Sequence, residues 1–279
     1  MTDTRVSKST RPPKAPSPKP LLVSTKPAGA VLVAPGVLAW LFPAGAPFTQ
    51  TNVHVGQRIV VPLDGAPLTF RAPGGAIVET RSPVLVPPGV PYATLSAGPR
   101  IGIVVHPVRD GRPVVMTEAG PTIVEGRAGG RVRGAAEALL STPAHHHADD
   151  AHGELLDALG SPLGRLLDRR VRVVLDTLAF EPEPPTLEML SARTELSSER
   201  LRHLVVESLG VGLRRLLQWY RFTSALTRMW RPERLAHIAA ETGFSDQAHL
   251  ARTTRELIGH PPSLRTAIEW RIHGNYHSR

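Results

Sequence analysis

Residues 187–197 (LEMLSARTELS) and residues 235–245 (LAHIAAETGFS) are two copies of one pattern, and together they decide the fold of the C-terminal third. In each copy, apolar residues at helical spacing are followed by a polar turn and a serine. The copies align at an offset of 48 residues up to that serine and of 49 beyond it, where Leu201 matches Leu250 and Gly210 matches Gly259. The repeat predicts two short helix-turn-helix units, which indicate a protein that contacts DNA at two places.

From residue 170 onward the sequence predicts an all-α domain of seven helices. The helix between the two units, at 1.5 Å per residue, would be a rod of roughly 27 Å. Successive major-groove faces lie roughly 34 Å apart, so such a rod could present two reading helices to one side of a modestly bent duplex. The expected elements are Val171–Leu178, a helix capped by Thr186, a helix capped by Ser198 and ending at Gly210, Gly212–Met229, Pro232–Thr242, a helix capped by Ser245 or Asp246, and Pro262–Trp270.

The sides of helices 198–208 and 246–257 that face away from the apolar spines are the predicted DNA contacts. Arginine suits the acceptors of guanine and glutamine suits the adenine edge, so Arg202, Gln247 and Arg252 are the best candidates for reading bases. Arg214 and Arg221 are expected to hold phosphates or internal carboxylates. The alternative is that both faces are ordinary solvated surfaces. The full expected contact set is Ser198, Glu199, Arg200, Arg202, His203, Asp246, Gln247, Ala248, His249, Ala251, Arg252 and Arg255.

Residues 21–108 read as short β-strands separated by Pro-Gly turns, which is typical of a sandwich, barrel or jelly roll. Residues 84–91 (VLVPPGVP) resemble a strand and turn of cupin-like sensor barrels. A further strand is expected at Thr122–Glu125, a helix beginning within residues 135–142, and an interrupted helix at Glu154–Leu167. The strands are expected at Val31–Val33, Val37–Phe42, Arg58–Leu63, Leu68–Phe70, Ala76–Thr80, Val84–Val86 and Gly102–Val105.

The fold class is therefore α+β with two domains, an all-β cupin-like barrel or jelly roll followed by the seven-helix domain. We expect a disordered basic arm at residues 1–20, a sensor or dimerisation domain at 21–134, a linker with a helical element at 135–169, the double helix-turn-helix domain at 170–270 and a tail at 271–279.

Charge and composition agree with a polyanionic partner. The net charge is +9, and a basic excess of four lies in residues 1–20 and again in residues 170–279. The absence of cysteine excludes disulfides and thiolate zinc sites. No apolar run approaches the ~20 residues of a membrane span, and no secretory signal is evident. We therefore expect a cytoplasmic, nucleoid-associated protein that does not engage a membrane.

Four segments resemble the AraC/XylS family of transcription regulators: residues 196–201 (LSSERL), Arg221 with Ala225, residues 239–249 (AAETGFSDQAH) and residues 259–263 (GHPPS). The resemblance covers about residues 170–268. It implies a double helix-turn-helix domain whose reading helices enter consecutive major grooves, and an upstream lobe that senses a small molecule, dimerises, or both. The partners it implies are a double-stranded operator, an effector, a second copy of the chain and RNA polymerase.

Three residues depart from that family's pattern. Glu195 stands where a turn glycine is usual, and if the turn needs a positive φ this glutamate costs about 1 kcal/mol. Val205 and Thr254 stand where large aromatic residues usually anchor the reading helices, so Thr254 in particular is expected to thin the second core.

Candidate sites outside the helical domain are few. Metal-holding cupins carry several histidines and a glutamate, whereas residues 52–57 (NVHVGQ) retain only His54, so no metal and no cofactor is expected. His54 and Tyr92 are the candidate effector contacts. The histidines and aspartates of residues 145–152 are expected to form a hydrophilic linker rather than a zinc site, because they lack fixed ligand spacing.

Two other classes of protein remain open from the sequence. A cupin-type enzyme with a fused helical module would need metal ligands or an acid–base pair in the barrel, and residues 21–108 supply only His54, His106, Glu79 and Asp64. An interaction protein whose helices bind other proteins is the third interpretation. We predict a transcription regulator and no enzyme.

Overall fold

The computed structural model describes residues 29–34, 37–45, 51–96, 98–105, 108–109, 112–113, 120–141, 154–155, 157–158, 168–181, 185–258, 261–267 and 269–272. The expected basic arm and the histidine cluster of residues 145–152 lie outside these ranges. The described chain forms a β-rich lobe followed by a helical domain, which confirms the two-domain α+β fold class.

The described residues of the β lobe form two main sheets and a two-stranded sheet of β9 and β10. The larger main sheet has the strand order β11-β6-β3-β8-β2-β1-β12, and the smaller has the order β5-β4-β7. The larger sheet does not close into a ring over the described residues, so the lobe is an open sandwich rather than the closed barrel expected. The strands are β1 Ala30–Ala34, β2 Val37–Phe42, β3 Gln57–Pro62, β4 Leu68–Arg71, β5 Ile77–Thr80, β6 Val84–Val86, β7 Ala93–Thr94, β8 Arg100–Val105, β9 Val108–Arg109, β10 Arg112–Pro113, β11 Thr122–Ile123 and β12 Glu269–Ile272.

Alternation along the strands gives the large sheet two buried faces. In β2, Val37 and Ala39 face one hydrophobic cluster, whereas Leu38, Trp40 and Phe42 face another. Successive side chains of a strand point to opposite faces, so a strand that is apolar throughout must be covered on both sides.

The helices cover those two faces. The first helix packs on one face of the large sheet, against β8, through Val132, Ala136 and Leu139. The remaining helices build the C-terminal domain on the other face, and a 3₁₀ helix at Pro262–Ala267 completes the seven expected there. The helices are α1 Gly126–Ser141, α2 Arg169–Phe180, α3 Leu187–Thr194, α4 Ser198–Leu209, α5 Leu213–Met229, α6 Leu235–Glu241 and α7 Gln247–Ile258.

Several element boundaries differ from the sequence expectation. Helix α1 begins at Gly126, nine residues before the expected start, because Val132 and Ala136 bury against the sheet despite the local glycines. The N-cap of α4 is Ser197, whose hydroxyl accepts from the Arg200 amide, and Ser198 is the first helical residue.

The C-terminal end of the chain also differs. The last helix does not reach Trp270. The chain extends instead into strand β12, which pairs in parallel with β1 through Ala30–Glu269 and Val33–Ile272. The local sequence of β12 alternates weakly, so its strand state depends on the partner edge that β1 offers.

One continuous core joins the β lobe to the helical domain. Its cluster includes Val31 and Trp40 from the sheet, Trp219 from α5 and Leu250 from α7. The apolar sides of the two helix-turn-helix units therefore pack against each other and against the sheet, and they do not form two separate three-helix cores. This shared core fixes the placement of the helical domain on the lobe.

Candidate functional site

The first helix-turn-helix unit consists of α3 and α4. Thr186 caps α3 by accepting from the Met189 amide, as expected. Glu195 forms the turn with φ +56° and ψ +33°, a left-handed conformation that favours glycine. The turn therefore has the positive φ at which a glutamate is expected to be less stable than a glycine.

The second unit consists of α6 and α7. Its turn is made by Gly243, with φ +75°. Asp246 caps α7, because its Oδ1 accepts from the His249 amide at 2.7 Å, and this bond is the largest cause that holds the pKa of the Asp246 carboxyl below its ordinary value. Thr254 is buried and its hydroxyl donates to the Leu250 carbonyl at 2.7 Å, so a small polar residue fills the position where the core was expected to be thin.

Each reading helix packs on α5, which is the rod expected between the units. The rod runs over 17 residues, or about 25 Å at 1.5 Å per residue. Trp219 and Phe222 anchor it in the core with ring centroids 5.8 Å apart. The linkage through one stiff helix sets the spacing of α4 and α7.

The structure places most of the expected DNA contacts in solvent. Glu199, Arg200, Arg202, His203 and Glu207 are exposed along α4, and Asp246, Gln247, Ala248, Arg252 and Arg255 are exposed along α7. Three others are half-buried: Ser198, Ala251 and His249. The hydroxyls of Ser198 and Ser191 lie 3.1 Å apart, and the ring of His249 stacks edge-on against Phe244.

The arginines of the helical domain divide into two groups. Arg193, Arg215 and Arg228 form ion pairs with glutamates of the same domain. Among the residues that the structure describes, Arg200, Arg202, Arg214, Arg252 and Arg255 form no ion pair. Arg214 is exposed, whereas Arg221 is half-buried with its Nε away from any acceptor in the described chain. The exposed group without ion pairs lies on or beside the two reading helices, as a phosphate-binding surface requires.

The β lobe touches the C-terminal ends of both reading helices. The loop after β6 brings Gly89, at φ +75°, against Gly210, the left-handed cap of α4. A Cβ at Gly89 would overlap the carbonyl oxygen of Gly210. Arg215 of α5 donates to the Val53 carbonyl at 3.1 Å and lies 3.6 Å from Glu256 of α7, so one side chain connects lobe, rod and second reading helix.

A small cavity of about 10 Å³ lies between the lobe and the end of α7. It is lined by Trp40, Phe42, Asn52, His54, Arg58, Leu257 and Ile258. Tyr92 packs beside it, with its ring centroid 6.1 Å from that of His54. The two candidate effector contacts therefore lie together, one on the cavity wall and one directly behind it.

Buried cationic groups define the electrostatics of this cavity. Burial, reinforced by Arg58 and Arg215, holds the pKa of His54 well below its ordinary value, so the imidazole is neutral at physiological pH. Burial also lowers the pKa of Arg58, and it lowers the pKa of Arg100 to about 10. Burial raises the pKa of Tyr92 although both arginines oppose the shift.

Arg58, Arg100 and Trp40 were not among the residues that the sequence singled out. The sequence does show Arg58 as a charged residue at an inward position of β3, in a segment that is otherwise apolar (RIVVP, residues 58–62). A charged residue in phase with buried neighbours marks either a partnered core charge or a ligand site. The expectation that residues 145–152 form a hydrophilic linker rather than a zinc site falls on residues outside the described chain.

A family model described as a helix-turn-helix domain matches residues 190–264. A search of curated proteins finds no match to the chain. No helix among the described residues has the length and apolarity of a membrane span.

The fold is similar to that of solved structures of ToxT from Vibrio cholerae. The unliganded form of a ToxT variant from strain SCE256 matches 83% of this chain and 97% of its own length, with a TM-score of 0.56 and 11% sequence identity. ToxT from the same strain bound to an unsaturated fatty acid matches 81% of this chain and 92% of its own length, with a TM-score of 0.53 and 12% identity. At these identities the likeness establishes a shared two-domain fold.

The matched domain model and the shared two-domain fold support the regulator interpretation and give no support to the cupin-enzyme alternative. Residues 190–264 form a helix-turn-helix domain of the AraC type, a kind of domain that binds DNA.

Proposed function

We propose that this regulator reads a specific duplex with α4 and α7, which enter consecutive major grooves from one rod. The observation that supports this proposal is the pair of exposed, basic helix faces joined by α5, whose arginines form no ion pair with a carboxylate of the described residues. A major groove admits one α-helix, and a rod about 25 Å long can carry two reading helices to adjacent grooves of a modestly bent duplex. The proposed location of this DNA binding is the nucleoid.

Within that interface we assign the reading of bases to Arg202, Gln247 and Arg252. All three are exposed and project from the reading helices. Arg200, Arg214 and Arg255 serve the phosphates, where charge matters more than geometry. The remaining expected contacts shape the approach, since small side chains at Ala248 and Ala251 let the α7 backbone lie close to the bases.

The test is selection of bound sequences from random duplexes, followed by the same selection with Gln247→Ala and Arg252→Ala. Each variant should lose about 1–3 kcal/mol of binding and relax preference at one base pair. Wild-type affinity should fall steeply with salt. Arg71→Ala, which removes an exposed arginine of the β lobe, is the control and should change neither property. Unchanged sequence preference in both reading-helix variants would reject the assignment.

We further propose that the β lobe senses a small effector and transmits its presence to the reading helices. Direct contact between the lobe and the ends of α4 and α7 supports this role. Solved ToxT structures of similar fold were obtained with an unsaturated fatty acid and with a naphthyl butenoic acid. A homodimer and a contact with RNA polymerase stay predictions of the family resemblance.

A further inference from the structure

We propose that Arg215 is a positioning residue for DNA reading, which fixes the angle of α7 relative to the β lobe. It thereby sets the distance at which the chain accepts two half-sites, one for each reading helix. The inference rests on the proposed function of α4 and α7. Three features carry it: a bridge made by one guanidinium, polar contacts between α5 and the same end of α7, and incomplete apolar packing around the bridge.

The bridge joins three elements through one side chain in the first turn of α5. Nη2 of Arg215 donates to the Val53 carbonyl of the β lobe at 3.1 Å, and Nη1 lies 3.6 Å from Oε2 of Glu256 in α7. An exposed ion pair alone contributes little to stability. A guanidinium, however, presents its donors in a rigid planar fork, so two partners of one guanidinium are also oriented relative to each other. Arg215 therefore orients α7 on the lobe.

Gln218 connects the same part of α7 to α5. Its Nε2 donates to Oγ1 of Thr253 at 3.2 Å and to Oε2 of Glu256 at 3.4 Å. Gln218 and Arg215 are three residues apart, so they lie on one side of α5. We call these four residues the polar clamp. It holds the second half of α7, whereas Gln247 at the start of α7 is exposed.

Apolar packing at the end of α7 is incomplete. A gap of about 10 Å³ remains between the lobe and Leu257 and Ile258, the last residues of α7. At the first unit, by contrast, Gly89 lies so close to Gly210 that a Cβ would overlap its carbonyl oxygen. Close packing thus positions α4 on the lobe, whereas the orientation of α7 depends on the polar clamp.

Small changes in the angle of α7 displace the groups that read DNA. Gln247 begins α7, and Glu256 lies about 14 Å further along the axis at 1.5 Å per residue. A tilt of about 10° at the clamp moves Gln247 by about 2 Å, which breaks a hydrogen bond of about 3 Å. One added base pair shifts a groove by about 3.4 Å and turns it by about 35°. With α7 held, one spacing of half-sites fits both reading helices.

The experiment measures the affinity of the full chain for duplexes that carry the two selected half-sites at different spacings. Relaxed preference in Gln247→Ala identifies the half-site that α7 reads, and one base pair is then added or removed between the half-sites. We expect the wild type to prefer one spacing by about tenfold. Arg215→Met should reduce this preference to about threefold, because the preferred spacing is weakened and the others are not.

Arg214→Met is the matched control. Arg214 is the neighbouring arginine, is exposed, and is assigned above to phosphates. Its loss should weaken binding by the same factor at every spacing and leave the spacing preference intact. An unchanged spacing preference in Arg215→Met would overturn the proposal.

Two milder variants keep the test decisive if Arg215→Met does not fold. Arg215→Lys retains the charge without the planar fork, so it should restore only part of the spacing preference. Glu256→Gln removes the charge of the partner and should lower the preference to an intermediate value. Wild-type preference in both milder variants would also overturn the proposal.

A distance measurement without DNA separates this inference from the proposed function. The chain has no cysteine, so spin labels attach only at introduced ones. Ile77, Ala248 and Glu199 are exposed positions on the β lobe, α7 and α4. Arg215→Met should broaden the distance distribution between labels at Ile77→Cys and Ala248→Cys. It should leave unchanged the distribution between Ile77→Cys and Glu199→Cys.

The two measurements together distinguish the possible failures. Unchanged label distances with a wild-type spacing preference in Arg215→Met would overturn the role of Arg215 and leave DNA reading by α4 and α7 intact. Broadened distances between lobe and α7 in a chain that selects no duplex sequence would reject the proposed DNA reading, and with it the spacing role, while supporting the polar clamp.

Discussion

The two helix-turn-helix units descend from one sequence pattern but meet the β lobe in different ways. The first is held backbone to backbone, where Gly89 lies against Gly210 at the end of α4. The second meets the lobe across a cavity, through Leu257, Ile258 and the bridge made by Arg215. The first contact has no space for even one added methyl group, whereas the second leaves a gap of about 10 Å³, the size of a single water. The first unit is therefore packed more tightly against the lobe than the second.

The largest expected effect comes from disrupting the close contact between Gly89 and Gly210. Gly89→Ala would place a methyl on the carbonyl of Gly210 and strain a residue at φ +75°, so we expect a loss of about 2 kcal/mol or more in the free energy of unfolding. Gly65→Ala is the matched control, because Gly65 has a similar φ of +66° with open space around it. Denaturant unfolding of both variants isolates the contact between lobe and helix. Equal losses would mean that the first unit is not held there.

Substitutions in the turns of the two units should change the free energy of unfolding by a smaller amount and in opposite directions. Glu195→Gly should stabilise the chain by about 1 kcal/mol, because glycine adopts φ +56° without strain. Gly243→Ala should destabilise it by a similar amount for the converse reason. Thermal unfolding of the two single variants tests the comparison directly. A destabilising Glu195→Gly would show that the glutamate side chain makes a compensating contact.

The smallest effect is a pH dependence confined to the second unit. Ser197 caps α4 with a neutral hydroxyl, whereas Asp246 caps α7 with a carboxylate whose pKa is lowered chiefly by the His249 amide. A lowered folded-state pKa contributes stability that is present above the ordinary value of about 4 and is lost as the pH falls below it. The protection of amides against hydrogen exchange, corrected for the intrinsic rate at each pH, should therefore fall in α7 before α4 on acidification. Asp246→Asn should abolish the difference, and an unchanged order would contradict this account of the cap.

Much of the fold could be predicted from local patterns. The strand pattern of the β lobe, the Thr186 cap, the rod ending at Met229 and the left-handed turn at Glu195 all follow from spacing and from the demands of single residues. Strand β12 could not be predicted in this way, because its pairing with β1 joins segments more than two hundred residues apart. Long-range pairing of this kind depends on the assembled fold rather than on propensity.

The DNA interface could be predicted from local patterns, whereas the cavity depends on long-range packing. The exposed residues of α4 and α7 follow from helical periodicity, since one face of each helix is apolar. The grouping of Trp40, Arg58 and His54 depends on three separate segments meeting beneath α7. His54 was singled out for its residue type alone, and Arg58 was missed because a single charge within an apolar strand carries no spacing to recognise.

Strand β12 gives the helical domain a second attachment to the same lobe, made by backbone hydrogen bonds in addition to the covalent connection before α2. The domain leaves the lobe's part of the chain before α2 and returns to the edge of the sheet at Glu269–Ile272. The paired strand and the shared core together restrict relative movement of the two halves. A fragment that ends before residue 269 would uncover β1 as an open sheet edge, a template for edge-to-edge aggregation.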